Sequence, residues 1–350
     1  MTRAARRPAS PEVEHLTRKP NGDRCVYWGM TPVTAATDVW EPLSAGDWNV
    51  DTARHLLRRA GWTARPVDVD RAVKDGLPAT LDRLFPASPP LFPPPKLVAE
   101  VSEDTPEYQQ KIKAAPPLEK RELQREARER AQAALQDMTV RWLEFSSRAE
   151  NAAVAKWVLF LSDVYVVASE KVQNPAMLWL HYDILGRHGF GPAPALSKAV
   201  LRSPAMIRYL DLEQSNRGAP NENFARELFE LFVLGEGHYT EHDIKEAAKA
   251  FTGYRQRFGQ FLFNPHQHDP GAKTVFGHTG HYNGDDVIDL AYQLPAAGTF
   301  LPHELVKFYL SDTPLPPEML APLGAWWSAQ HYDLGALARR FFGSRLFFAP

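Results

Sequence analysis

The stretch Pro220–Gly253 reads PNENFARELFELFVLG and then EGHYTEHDIKEAAKAFTG, and it decides the fold. Its spacing predicts a helix over Asn221–Leu234, a glycine-bounded turn, a second helix and a glycine stop at Gly253. Phe224, Ala225, Leu228, Phe229, Leu231 and Phe232 form a broad apolar arc on the first helix, so Leu228 and Leu231 are expected in the core. Glu222, Arg226 and Glu230 fall on one stripe at i, i+4, i+8, with Asn223 and Glu227 beside it and Val233 and Leu234 on the same side in the last turn. Carboxylates on a mostly buried helix need a cation, a metal or a proton. Two readings are open: an internal ion-pair network around Arg226, or acids lining a cleft. In the second helix Thr240 and Asp243 match the Ser/Thr-x-x-acid cap, and Ile244, Ala247, Ala248 and Phe251 form the buried stripe. His238 and His242 flank its start and read as surface or capping residues.

Outward from this pair the helical period continues. Asn49–Ala60 carries Val50, Ala53, Leu56, Leu57 and Ala60 at helical spacing, with Gly61 as its stop. Short helical turns come next at Val67–Asp75 and Pro78–Phe85. Six prolines make Pro86–Pro95 an extended linker. The charged stretch 117–146 reads as one long solvated helix, an arm of a helical hairpin. Lys156–Ala168 is apolar nearly all round and reads as a central buried helix. Proline opens helices at Pro175–Arg187, Pro192–Leu201 and Pro204–Leu210. Gln260–Asn264 and Lys273–Gly277 are expected to pair as a short hairpin around a polar loop, and four further helices finish the chain. The expected fold is mainly α: one multi-helix domain over 48–350 with a short β-hairpin insertion near 260–277, preceded by an irregular arm over 1–47. Phe347-Phe348-Ala349-Pro350 stops after a helical run and reads as the end of a fragment.

Composition narrows the function classes. A formal charge of −2 gives no global pull toward nucleic acid or membrane, and acids match bases along 117–146, so no nucleic-acid partner is expected. The single cysteine, Cys25, excludes an internal disulfide framework. No apolar run is long enough to span a bilayer, and no apolar segment comes after the twin arginines Arg6 and Arg7, so the sequence as it stands reads as cytoplasmic. There is no Gly-x-Ser-x-Gly elbow, phosphate-binding loop or dinucleotide fingerprint.

The chemistry-bearing candidates lie in two places. On the motif helix they are Glu222, Asn223, Arg226 and Glu227, as catalytic groups. In the later loop His266, His268 and Asp269 are the candidate metal ligands, and Lys273, Asp285 and Asp286 are further candidates. Imidazoles with a carboxylate suit Zn, Fe or Mn, so a divalent metal is the cofactor to test. The competing reading is structural: Asp269-Pro270-Gly271 is a natural turn, and Asp285 and Asp286 precede an apolar run they can cap.

These motifs resemble the bacterial family catalogued as DUF1800. The resemblance runs from about Trp48 to the C-terminus. It is strongest over Asn221–Tyr254, His268-Asp269-Pro270-Gly271-x-Lys273-Thr274 and Gly284-Asp285-Asp286-Val287. It implies a mostly helical bacterial protein whose relatives are often exported. They are often encoded beside a second family resembling sulfatases, which makes such a protein a candidate partner. It supplies no reaction. Many members carry Phe-Trp-His-x-His-Phe where this chain has Phe160-Leu161-Ser162-Asp163-Val164-Tyr165, and Arg-Lys where it has His303-Glu304. The expected function is therefore a degenerate metal-assisted hydrolase or oxidoreductase using an acid/His pocket, or else a non-catalytic helical binding or scaffold protein. The first requires the 268–269 loop to fold back onto the polar face of the motif helix.

Overall fold

In the computed structural model, which describes residues 38–100 and 105–349, most helices begin at a proline or a capping side chain. Asn49 caps α1 (Val50–Ala60): its side chain accepts the Asp51 and Thr52 N–H groups, and the Thr52 hydroxyl accepts the Asn49 N–H in return. Ala53, Leu56, Leu57 and Ala60 are buried, whereas Val50 is left exposed in the first turn. α2 (Pro66–Leu84) is two helical pieces joined at Gly76, whose φ of 81° leaves the helical path. The proline stretch 86–95 is extended but pinned. Phe92 is buried against Phe145 and Tyr182, and its carbonyl accepts the Trp179 indole N–H at 3.3 Å. The extended linker its composition suggests is thus held against the fold as a strap.

Two short helices, α3 (Lys96–Ala99) and α4 (Pro106–Ala114), precede α5 (Pro117–Ser147). Of the 31 residues in α5 only Leu123, Ala134 and Ser146 are fully buried, so its charges face water and pair along the helix, as Arg125 does with Glu129. α6 (Ala152–Val164) is the opposite: eight of its 13 residues are buried, and the Trp157 indole donates to the Gly189 carbonyl at 2.7 Å. It ends at Val164, short of the expected Ala168. α8 (Pro175–His188) packs against it, and α7 (Ser169–Val172), α9 (Ala193–Leu201) and α10 (Pro204–Tyr209) pack in turn against α8.

The motif helix departs from its projection. α11 (Glu222–Glu227) passes directly into a π-helical segment, Leu228–Val233, in which the Leu234 N–H reaches the Phe229 carbonyl five residues back. The wider turn rotates the residues beyond it about the helix axis. Leu228 is 2% exposed as expected, but Leu231 is 43% exposed, and Val233 and Leu234 turn inward instead. α12 (Glu241–Ala250) carries the capping box read from Thr240 and Asp243.

Two hairpins are present where one was expected. β1 (Tyr254–Arg257) pairs with β2 (Gln260–Phe263), and β3 (Lys273–Val275) pairs with β4 (His278–Gly280). Phe258-Gly259 and Phe276-Gly277 form the two tight turns, each with positive φ at both positions. The two expected strands thus belong to different sheets. α13 (Gly284–Ala291), α14 (Pro295–Tyr309), α15 (Pro317–Ala329) and α16 (Leu334–Gly343) complete a mainly helical domain.

Most of the expected N-terminal arm lies outside the described residues. Its last part is anchored in the fold: Val39, Trp40 and Leu43 are buried. The Trp40 indole donates to the Met319 carbonyl at 2.6 Å, the Leu43 N–H to the Gly343 carbonyl, and the Arg345 and Leu346 N–H groups return bonds to Glu41 and Val39. Among the described residues no helix is long and apolar enough to cross a membrane.

Candidate functional site

The signature residues assemble around the end of α12. Phe251 meets Phe224 of α11 edge to face at 4.9 Å, which locks the two motif helices together. Gly253 has a φ of 82°, and a Cβ there would lie 2.5 Å from the Asn264 carbonyl and 3.0 Å from the His268 nitrogen. Glycine is thus required twice over, for its backbone angle and for the closeness of the loop. Thr252 anchors that loop: its carbonyl accepts from His268 Nδ1 at 3.0 Å, and its hydroxyl accepts the Asp269 N–H at 2.8 Å. Asp269 Oδ1 accepts the Gly271 N–H at 2.8 Å, closing the turn its sequence predicts.

Lys273 is 1% exposed, and its ammonium donates to the Asp269 and Gly271 carbonyls, each at 2.8 Å. Burial pulls its pKa down from the usual lysine value, while Asp269 opposes that shift. The second hairpin is stitched to α12 as well: Asp243 accepts the Phe276 N–H at 2.7 Å and Glu246 accepts the Thr274 N–H at 3.1 Å. Burial raises the pKa of these two acids, but the hydrogen bonds outweigh it and hold both below their usual range. Gly284 packs flat on this assembly, since a Cβ there would strike the Phe251 ring at 2.6 Å. Asp286 completes a capping box with Asn283, and Asp285 pairs with Arg202 at 2.7 Å. The structure therefore brings Phe251–Tyr254, His268–Thr274 and Gly284–Asp286 into one knot.

The motif-helix candidates face elsewhere. Arg226 does not bridge Glu222 and Glu230; it grips Glu241 of α12 with two bonds of 2.9 Å, on the surface. The crossing of α11 and α12 puts Glu241 within reach. Glu230 accepts from the Tyr239 hydroxyl at 2.8 Å, and burial with that contact raises the tyrosine to about 12. Glu227 is half-buried and has no hydrogen-bond or ion-pair partner among the described residues. Burial first, then Glu230, holds its carboxyl above the usual range. Asn223 is exposed, and Glu222 is close enough to Arg226 to act on its charge. His266 is exposed, with only its backbone N–H engaged, on Asn264. No hydrogen bond or ion pair joins the 266–269 loop to Glu222, Asn223 or Glu227, and no group of three His, Cys, Asp or Glu able to hold a metal ion occurs, both statements being made of the described residues.

Two features escaped the sequence reading. A buried polar chain runs from the Tyr165 hydroxyl through Ser197 (3.1 Å) to Tyr292 (3.0 Å), with His181 nearby between the Tyr165 carbonyl and Ser203. Burial pushes His181 down to about 4. The second feature is a cavity of about 740 Å³ between α1, α2, α5 and α6, lined by Trp62, Trp142, Leu143 and Arg71 among others and by no residue of 221–254, 268–274 or 284–287.

Membership of a family is established over most of the chain. The model of the family described as "Protein of unknown function (DUF1800)" matches residues 55–350, and the chain belongs to that family. No curated protein and no solved structure matches it.

Proposed function

We propose that this protein is a non-catalytic helical binding protein whose family signature braces the fold. The carrying observation is the Lys273 cage: the one amine of the knot is buried and held on two carbonyls of its own loop. His268, Asp269, Asp243 and Asp286 are likewise turned onto the backbone, each in a role that shapes a turn or a helix end. A site built for substrate keeps such groups facing a cleft. Metal analysis of protein purified without chelators tests the reading. Substoichiometric metal is expected in wild type and in His268→Ala and Asp269→Asn alike. One equivalent of zinc, iron or manganese that both variants lose would overturn it.

One observation favours a second reading, in which the acids are the remnant of a metal-assisted hydrolase or oxidoreductase. Glu227, unpartnered among the described residues and with a raised pKa, stands at the start of the π-helical turn close to Glu230, which accepts from the Tyr239 hydroxyl, and π-helical turns recur at functional sites. That reading predicts that added Mn²⁺ or Zn²⁺ raises the melting temperature of wild type but not of Glu227→Gln. Equal shifts in both would discard it.

A further inference from the structure

We propose that the cleft between α1, α2, α5 and α6 binds an apolar monoanion, an alkyl or aryl carboxylate. This rests on the binding-protein reading and gives it a ligand class. The cavity of about 740 Å³ is the size of a small-molecule site. Its body is apolar: Leu57, Leu84, Leu159 and Ala153 contribute to the walls, and Trp62 and Trp142 meet edge to face at 6.3 Å. Trp62 is 39% exposed and Leu143 55% exposed, so apolar surface faces water at the mouth.

The charge at the rim selects the head group. Arg65, Arg71 and Arg83 line the α2 wall but share two carboxylates. Arg65 holds Asp68 at 2.5 and 3.0 Å, and Arg83 holds Asp75 at 2.5 Å. Arg71 reaches Asp75 only at 3.5 Å and its side chain is 64% exposed. A guanidinium so placed offers a planar two-donor fork that matches a carboxylate. Glu150 also lines the cleft and is close enough to Arg65 to act on its charge, while Lys156, held on the Arg59 and Gly61 carbonyls, sets its ammonium over the Trp62 ring at 5.1 Å. That ammonium occupies the aromatic face a cationic ligand would need. One positive charge is left over: Arg65, Arg71, Arg83 and Lys156 against Asp68, Asp75 and Glu150.

Titration calorimetry on the full chain tests this with three probes of equal tail: decanoate, decan-1-ol and decyltrimethylammonium, all below their micellar concentrations. Decanoate should bind at one site, the alcohol roughly tenfold more weakly for want of the ion pair, and the cation not at all. Arg71→Gln should remove the preference for decanoate over the alcohol, and Leu143→Glu should abolish binding of both. Both positions are exposed, so an unchanged denaturant midpoint will show that each variant folds. Equal affinity of wild type for decanoate and the alcohol, an Arg71→Gln variant that keeps the preference, or no heat with any probe would each overturn the proposal. These residues lie outside the signature, so such a failure is distinct from a failure of the metal analysis.

Discussion

The knot at the end of α12 and the cleft beside α2 differ in what their polar groups have left to offer. In the knot, the Lys273 ammonium, the His268 imidazole and the Asp243 carboxylate are all held by groups of the same chain. In the cleft, Arg71 has only a long contact, and Trp62 and Leu143 meet water. The knot gathers the strongest of the family motifs; the cleft takes only Leu57, Gly61 and Trp62 from the opening-helix pattern over 49–62, and most of its lining from outside any motif. Distinctive residues here answer the demands of an unusual backbone path, with its positive φ and close approaches, and the open surface comes from ordinary residues on separate helices.

The largest expected effect tests whether the motif helix is a core element. Leu228→Ala should cost about 2–5 kcal/mol, read as a lowered denaturant midpoint, while leaving decanoate binding intact in the folded fraction. The next uses pH. His181 is held near 4 in the folded chain against 6.5 unfolded, so the unfolded state binds the extra proton between those values. Stability from this group is complete above about 6.5 and falls as pH drops through the window, by about 3 kcal/mol in all. His181→Gln should lose that slope, and a slope retained would assign it to other groups. Lys273→Met should cost about 1–3 kcal/mol, because two carbonyls lose their donor. An effect of Lys273→Met on decanoate affinity would break the separation of knot and cleft. The smallest effect sharpens the π-helical assignment: Leu231→Ser should change stability by less than about 0.5 kcal/mol, since the side chain is already in water.

What the sequence made legible was local. Thr240 with Asp243 and the prolines opening α8 and α10 act within one turn, and each appears as read. Asp286 was legible as a capping acid for the same reason. The π-helical turn was not, because it is a choice of hydrogen-bond register that Leu228–Val233 do not spell; Leu231 was misplaced for that reason alone. Strand pairing failed at Phe258-Gly259 and Phe276-Gly277, where an aromatic residue takes the positive-φ position at which asparagine would signal a hairpin. The cleft joins Trp62 to Trp142 across two helices, beyond the reach of any window of sequence.

The bonds between residues 39–43 and 343–346 have a consequence for synthesis. Trp40 and Leu43 emerge from the ribosome some 300 residues before the backbone that completes their pairing. At about 5–20 residues per second the wait is of order tens of seconds, during which an indole and two aliphatic side chains lack their burial site. The early segment is thus a nascent-chain liability: a chaperone that shields Val39–Leu43 until release should raise the yield of native protein, and one that lets go sooner should not.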